Sequence, residues 1–403
     1  MGDTAQSFLQ ENLSKMKYKI VVMSGKGGVG KSTVSVNLAY YLASQGKNVG
    51  LLDVDVHGPS IAKMTGIEGM RLKVNEKGRP VPIQAANQKN LYIVTVASIL
   101  ESPDDPVVWR GPAKNGVIRQ FLEEGCWPEL DFLIVDCPPG TGDEPLSVIQ
   151  TINDVSGAVV VATPQQVALL DVRKSLKFAN LLNLPVIGIV ENMSGFVCPH
   201  CGETVDIFKM GGTLKAAEDF STEVLGKIPL DPQVVDATDS GKPYVTLYAE
   251  TAAGKAMAQI GKKVMNKVEE LADREIVVAI PSENGMLNPH FGHTTYFTLY
   301  TIKQKTVSAQ EEVSAVEGSH SDVIAWLKNE KNVEVVIAGG MGKEAATICR
   351  SFGMKIFRGV GVGKCSSIIQ LYIEKKLTDR EGSCSGHDGG SCGGGCSESG
   401  CCH

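Results

Sequence analysis

The sequence predicts an α/β protein, with a large, mostly parallel sheet flanked by helices, then a smaller α/β domain and a Cys/Gly-rich flexible tail. Three observations lead there. Short β-branched runs alternate with longer amphipathic stretches from Tyr18 to about Pro243, the pattern of parallel strands joined by crossover helices. A second, shorter alternation begins near Arg274. After about Arg380 the chain becomes "EGSCSGHDGGSCGGGCSESGCCH", too rich in Gly and Ser to pack a core and expected to stay disordered until something binds it.

The runs "YKIVVM", "NVGLLDVD", "LYIVTVA", "DFLIVD", "GAVVVAT" and "PVIGIVEN" read as strands, and because most are apolar on both faces they belong in the middle of a sheet. The stretch "ETAAGKAMAQIGKKVMNKVEELAD" carries Met257, Ile260, Val264, Val268 and Leu271 at helical spacing. Such a stripe suits a membrane surface or a protein core; its lack of aromatics favours the core. The second alternation runs through "REIVVAIP", "YFTLYTI", "SHSDVIAWLKNE", "VEVVIAGG", "KEAATICRSFG" and "MKIFRGV". The expected division is an extension at 1–17, a first domain at 18–272, a second at 274–379, and the tail at 380–403.

Composition narrows the function. The 403 residues are 43% hydrophobic and 21% charged, near the globular average, and no apolar run approaches the roughly 18 to 20 residues that cross a bilayer. The N-terminus lacks the basic-then-apolar pattern of a secretory signal. A cytoplasmic protein without a membrane partner is expected. A net charge of −6 argues against nucleic acid, whose binding favours a basic surplus. Eleven cysteines, five of them in the last twenty residues, point in a reducing compartment to metal or redox chemistry rather than disulfides.

The strongest motif is "SGKGGVGKST", which follows the first strand and opens a helix. It contains Gly25-x4-Gly30-Lys31-Ser32, the full spacing of a phosphate-cradling P-loop. Gly25, Gly27, Gly28 and Gly30, with Lys26 and Val29 between them, permit the turn and let backbone N–H groups face phosphate oxygens at a helix N-terminus. Lys31 would neutralise the β and γ phosphates of ATP, the Ser32 hydroxyl would ligate Mg²⁺, and Thr33 would lie near the α phosphate. Asp136 ends the strand "DFLIVD" and precedes "CPPGTGD"; there an acid can hold a Mg²⁺-bound water and a Gly-rich segment can sense the γ phosphate. Asp53 and Asp55 close another strand and, by alternation, point the same way. One would organise the metal's water shell and the other orient the attacking water, although Asp at a strand end also serves as a helix cap.

Cys198 and Cys201 in "NMSGFVCPHCGE" have the spacing that grips one metal centre from a tight turn. Two thiolates are half of the four ligands that zinc or an iron–sulfur cluster takes. A reactive dithiol is the alternative, but such pairs open a helix after a strand, whereas this one sits in a loop with Pro199, His200 and Gly202. His290 and His293 in "PHFGHTTYF" could ligate iron or form an ordinary packed turn. In the tail, Cys384, His387, Cys392, Cys396, Cys401, Cys402 and His403 could wrap a soft metal with little selectivity. Cys126 and Cys349 read as buried small residues, and so does Cys137, although its place beside Asp136 leaves a ligand role open. Cys365 fits either reading.

The early lysine of "KGGVGKST" resembles the deviant P-loop of the MinD-like ATPases, in which that lysine reaches across a two-fold axis to the partner's phosphates. The resemblance implies a nucleotide-dependent homodimer. Further stretches, "DVDVHGPSIAKMTG", "VVWRGPAKNGVIRQFL", "FLIVDCPPGTGDEPLSV", "TPQQVALLDVRKS", "GIVENMSGFVCPHCGE" and "LGKIPLDP", resemble the Mrp/ApbC family of iron–sulfur cluster carriers from about Lys19 to Val245. That likeness implies that Asn192 reads the adenine edge, that Pro229 and Asp231 sit near base and ribose, and that Cys198 and Cys201 are the family's paired cysteines. From Arg274 to about Thr378, "NPHFGHTTYFTLY" and "VVIAGGMGKEAATICRSFGMKIF" resemble the NifX-like domains that bind iron–molybdenum cofactor precursors, a ribonuclease H-like fold.

The expected function is therefore a homodimeric carrier, a weak ATPase, that binds a labile 4Fe-4S cluster between subunits and passes it to apo iron–sulfur clients, in exchange with cluster scaffold proteins. A two-fold axis would turn two cysteines into four thiolates. Two rivals are a MinD-like positioning ATPase, which needs a membrane helix or basic face not visible here, and an ATP-gated electron donor resembling the nitrogenase iron protein, whose cysteines lie far apart in sequence.

Overall fold

The structure is a computed structural model that describes residues 2–55, 58, 60–99, 111–152, 154–182, 184–198, 201, 203–205, 207, 211–374 and 376–380. It divides into two units, residues 1–272 and 273–403.

The first unit opens with α1 (Gly2–Ser14), β1 (Met16–Met23), α2 (Lys31–Ser44), β2 (Val49–Asp53) and the single turn α3 (Ile61–Met64). A small ribbon of β3 (Lys73–Val74) and β4 (Pro80–Val81) leads to β5 (Ile83–Ala85) and β6 (Gln88–Thr95). Then come α4 (Gly111–Glu123), β7 (Leu130–Asp136), α5 (Asp143–Ile152), β8 (Gly157–Ala162) and α6 (Gln166–Leu181). The remainder is β9 (Val186–Val197), β10 (Thr204–Val205), α7 (Gly212–Asp219), β11 (Val224–Leu230), α8 (Pro232–Asp239), α9 (Tyr244–Leu247) and α10 (Ala252–Asp273).

The sheet order is β10-β9-β8-β1-β7-β2-β6-β5, with β11 also paired to β9. All of these pairs are parallel except the two outermost, β10 with β9 and β5 with β6. Parallel pairing explains the doubly apolar strands, since helices cover both faces. On one face Val34, Leu38 and Leu42 of α2 pack with Met257, Ile260, Val264 and Val268 of α10. The stripe on α10 is thus core, each such side chain contributing about 1.5–3 kcal/mol by leaving water. The other face is closed by Ile118 and Phe121 of α4, Val148 and Ile152 of α5, and Val172 and Leu176 of α6.

Residues 1–17 read from sequence as an extension before a strand at Tyr18. In the structure the strand starts at Met16 and α1 is fastened to the unit. The buried Asn12 donates through Nδ2 to the carbonyls of Leu122, Glu123 and Gly125 at 2.9–3.0 Å, satisfying acceptors that the end of α4 leaves open.

The second unit comprises β12 (Ile276–Glu283), β13 (Met286–Leu287), β14 (Tyr296–Lys303), β15 (Thr306–Ser314), α11 (His320–Asn329), β16 (Val333–Ile337), α12 (Lys343–Ser351), β17 (Lys355–Phe357) and α13 (Cys365–Ile373). Its sheet runs β15-β14-β12-β16-β17, with β13 beside β12. The β12, β14 and β15 neighbours are antiparallel and the β12, β16 and β17 neighbours parallel. Arg358, 5% exposed, is held by Asp379 through Nε and Nη2 at 2.9 Å each, a bidentate pair that ties residues 376–380 to the unit.

Candidate functional site

The carboxyl ends of the parallel strands share one edge of the first sheet, and the charged residues gather there. Register sets them side by side, with Val22 opposite Asp136 and Asp53 opposite Asp136. Between β1 and α2 the chain turns through residues 24–30. Gly28 (φ 77°) and Gly30 (φ 81°) take left-handed backbone, which costs an L-residue about 1–2 kcal/mol. Gly30 also lies against Asn192, and a Cβ on it would fall 2.1 Å from Asn192 Nδ2. A Cβ on Gly25 would fall 2.4 Å from the Asp171 carbonyl oxygen. No side chain caps α2, so the N–H groups of its first turn face the loop, the arrangement that receives phosphate.

Lys31, the first residue of α2, is 6% exposed, and its Nζ lies 2.7 Å from Asp136 Oδ2 and 3.7 Å from Asp55 Oδ2. Burial alone would push this ammonium down, but Asp136 first, then Asp55 and Asp53, hold it above its ordinary value. Asp136 is the hub: besides Lys31 it accepts from Ser32 Oγ at 2.6 Å and from Ser35 Oγ at 2.6 Å. Asp53 is fully buried beneath; its carboxylate accepts from Thr95 Oγ1 at 2.9 Å and from the Asp55 N–H at 3.1 Å. Burial and then the Asp136 charge push Asp53 up, partly opposed by Thr95. The two strand-end acids therefore differ: Asp55 reaches Lys31 in the cleft, whereas Asp53 props the floor.

A cavity of about 250 Å³ opens over this loop, lined among others by Lys26, Lys31, Ser32, Thr33, Asp55 and Pro139. Gly27, Gly28 and Gly30 also line it, while Val29 is buried beneath. Lys26 is half-buried, and among the described residues its ammonium has no hydrogen-bond or ion-pair partner. The segment after Asp136 is joined to the loop, the Gly140 N–H donating to the Ser24 carbonyl at 2.8 Å. Ser32 and Asp136 bring a hydroxyl and a carboxylate within 2.6 Å of each other, a hard-oxygen pair suited to Mg²⁺.

Asn192 lies on β9, and its Nδ2 donates to the Val29 carbonyl at 2.9 Å, so its amide is spent on the loop itself. Pro229, near the end of β11, is half-buried. Asp231 caps α8 by accepting from the Gln233 N–H at 2.9 Å and also accepts from the Tyr244 hydroxyl, a local role that a strand-end Asp commonly takes.

The cysteine pair sits where β9 runs out of the sheet. Val197 pairs with Thr204 and Phe196 with Val205, and the Cys198 N–H donates to the Glu203 carbonyl at 2.8 Å. Cys198 and Cys201 thus belong to the connection of a β-hairpin, Cys198 half-buried and Cys201 exposed. Asn192 precedes Cys198 by six residues on the same chain segment, at most about 20 Å of extended backbone. Between them Met193 (φ 57°) and Gly195 (φ 79°) make an elbow. The buried Glu191 holds it, accepting from Ser194 Oγ at 2.5 Å and from Thr213 Oγ1, with Lys227 Nζ at 3.6 Å.

Cys137 is fully buried, and burial, then the neighbouring Asp136, push its thiol up to about 12. It packs rather than ligates. Cys349 is likewise buried, pushed up to about 11, and Cys365 is buried and raised for the same reason. Cys126 is half-buried, accepting from Asn75 Nδ2 at 3.1 Å. In the second unit His290 is exposed, with its N–H bonded to Asn288 Oδ1 at 3.0 Å. His293 lies on the 3₁₀ turn Phe291–His293, and its side chain lies outside the described residues. So do Cys384, Cys392, Cys396, Cys401 and Cys402. Among the described residues no three His, Cys, Asp or Glu side chains converge on one point. Ser35, Thr95 and Glu191 belong to the site and escape a motif reading; for Ser35 the signal is its place one helical turn after Lys31.

Residues 15–265 match the family described as ParA, NUBPL iron-transfer P-loop NTPase, and residues 274–375 match the dinitrogenase iron-molybdenum cofactor family. An iron-sulfur cluster carrier protein of Methanocaldococcus jannaschii is 49% identical over 65% of this chain and 88% of its own length. A protein of Dictyostelium discoideum called cytosolic Fe-S cluster assembly factor NUBP2 homolog is 47% identical over 60% and 91%. A solved nucleotide-binding protein from Archaeoglobus fulgidus, in complex with ADP, is 38% identical over 59% of this chain and 91% of its own, with a TM-score of 0.53. The chain therefore belongs to the ParA/NUBPL family of iron-transfer P-loop NTPases, and its second unit to the dinitrogenase iron-molybdenum cofactor family.

Proposed function

We propose that this chain is an ATP-dependent iron–sulfur cluster carrier of the cytoplasm, in which two copies share one labile 4Fe-4S cluster as cargo and release it to apo-protein clients. The observation that carries the reading is β9: the strand bears Asn192 against the phosphate loop and runs out at Val197, directly before Cys198. Whatever shifts the loop pulls on the strand that leads into the hairpin connection with the thiols.

The residues divide the work as follows. The first turn of α2 and Lys31 bind the phosphates, and Lys31 exchanges its bond to Asp136 for them. Ser32 and Asp136 would hold Mg²⁺, the acid by way of a water, and the ion would supply charge neutralisation at the phosphates. Asp55, already in the cleft, orients the attacking water. Lys26 reaches the phosphates of the second copy, which makes closure depend on nucleotide. Asn192, once released from Val29, is the group that meets the adenine, with Pro229 and Asp231 beside the base and ribose. Cys198 and Cys201 of each copy give the four thiolates a 4Fe-4S cluster takes. ATP hydrolysis is slow and serves to reset the dimer. Clusters arrive from scaffold proteins, and neither nucleic acid nor membrane takes part.

The test is Lys31→Ala. Nucleotide affinity should fall about ten- to a hundredfold, the loss of a charge-assisted contact. Cluster loading should stay intact and transfer to an apo-client should stop. Normal transfer by this variant would sink the coupling to ATP.

A further inference from the structure

Thr163 follows the last residue of β8 and is 6% exposed, and among the described residues its Oγ1 is buried without a hydrogen-bond partner. Leaving a buried hydroxyl unpaired is destabilising, so a state that gives it a partner is favoured. The sheet places that partner. Ala162 pairs with Glu191, so one step on Thr163 stands opposite Asn192. On its other side Val160 pairs with Met23, after which the chain turns through the phosphate loop. Alternation sets the face. Val159 and Val161 of β8 and Val190 of β9 pack under α2, whereas Ala158, Val160, Ala162 and Ile189 line the opposite core. Thr163 and Asn192 thus share the α2 side of the sheet, the side on which Asn192 Nδ2 reaches the Val29 carbonyl.

The carboxamide of Asn192 carries two N–H groups and one oxygen, and at rest one N–H is spent on Val29. Adenine offers an N6 donor beside an N7 acceptor, and a carboxamide meets both when its oxygen faces N6 and its nitrogen N7. One N–H is then left over. We propose that Thr163 is a positioning residue for nucleotide selection: when Asn192 leaves Val29 for the base, the Thr163 hydroxyl accepts this remaining N–H and fixes which end of the carboxamide faces position 6 of the purine. Guanine carries an acceptor, O6, at that position, so a carboxamide held in this sense opposes it oxygen to oxygen. The ligand class is an adenine nucleotide, and its discrimination depends on a hydroxyl that touches neither phosphate nor base. The inference rests on the reading of Asn192 as the group that meets the adenine.

Calorimetric titration of the full chain with ADP and with GDP tests it, beside the melting temperature without nucleotide. The wild type should prefer ADP. Thr163→Val keeps the branched shape and removes only the hydroxyl. Because that hydroxyl has no partner at rest, the nucleotide-free variant should melt no lower than the wild type, which loss of a structural hydrogen bond would not allow. Its ADP affinity should fall about two- to tenfold, the net worth of one hydrogen bond, while GDP affinity does not fall, so the preference narrows. Thr163→Ser should restore it. In Asn192→Ala the preference should collapse, and adding Thr163→Val should change nothing further. The inference fails if Thr163→Val keeps the wild-type ratio while Asn192→Ala loses it, if Thr163→Val lowers the melting temperature, or if Thr163→Ser behaves as the valine variant does. A wild type without preference, or an Asn192→Ala variant that retains it, overturns the reading of Asn192 and this inference with it.

Discussion

Replacing Asp136 by asparagine probes the charge arrangement under the phosphate loop. Lys31 is 6% exposed and loses its 2.7 Å carboxylate partner, keeping Asp55 at 3.7 Å. Removing one member of a buried pair costs about 3–5 kcal/mol. Two terms reduce this: Asp55 remains, and Asp53 loses the neighbour that, after burial, pushes its carboxyl up. The net loss should therefore fall below that range, at about 2 kcal/mol. At about 2–4 °C per kcal/mol for a unit of this size, the first unit should melt about 4–8 °C lower without nucleotide. Scanning calorimetry of the full chain reads this against the second unit, whose transition should not move. In a cycle with Lys31→Met the double variant should be less destabilised than the sum of the singles. Additivity within about 0.5 kcal/mol, or an unshifted transition in Asp136→Asn, would refute the coupling.

Gly30→Ala forces a side chain into left-handed backbone and onto Asn192 Nδ2. It should cost at least about 2 kcal/mol and weaken ADP binding in a calorimetric titration; wild-type affinity would show that the tight contact is not needed. Asp53 has a folded-state pKa above its unfolded one, so the folded chain holds the extra proton and stability falls as pH rises from about 4 toward the raised value. Melting temperature against pH should therefore slope less steeply downward in Asp53→Asn than in the wild type, and parallel curves would contradict this.

The parts of the molecule legible in the sequence are those where local chemistry and final environment agree. The phosphate loop is one: Gly28 and Gly30 stand where left-handed backbone is needed, and Lys31 and Ser32 follow at the helix start. The doubly apolar strands are another. Less legible features depend on partners distant in the chain. Asn12 looks like one more polar residue of a leading segment until the carbonyls of Leu122 and Gly125 come to it. Strand β15 is almost wholly exposed, so it lacks the alternation that marks a half-buried strand. Asp53 and Asp55 are equivalent by alternation, yet β2 ends at Asp53 and only Asp55 turns to the cleft. Glu191 stands in a run read as a strand, with nothing in the sequence to name its partners; Ser194, Thr213 and Lys227, brought by the fold, make its burial tolerable.

The central claim is that Cys198 and Cys201 of two chains hold one cluster, and counting iron tests it most directly. After anaerobic reconstitution of the full chain, iron and acid-labile sulfide are compared with those of Cys198→Ala/Cys201→Ala, together with the mass of each species in solution. The account predicts that the double variant loses about four irons and four sulfides per two chains and that the loaded wild type is a dimer. Equal iron and sulfide in both proteins, or a colourless zinc site at these cysteines, would contradict it.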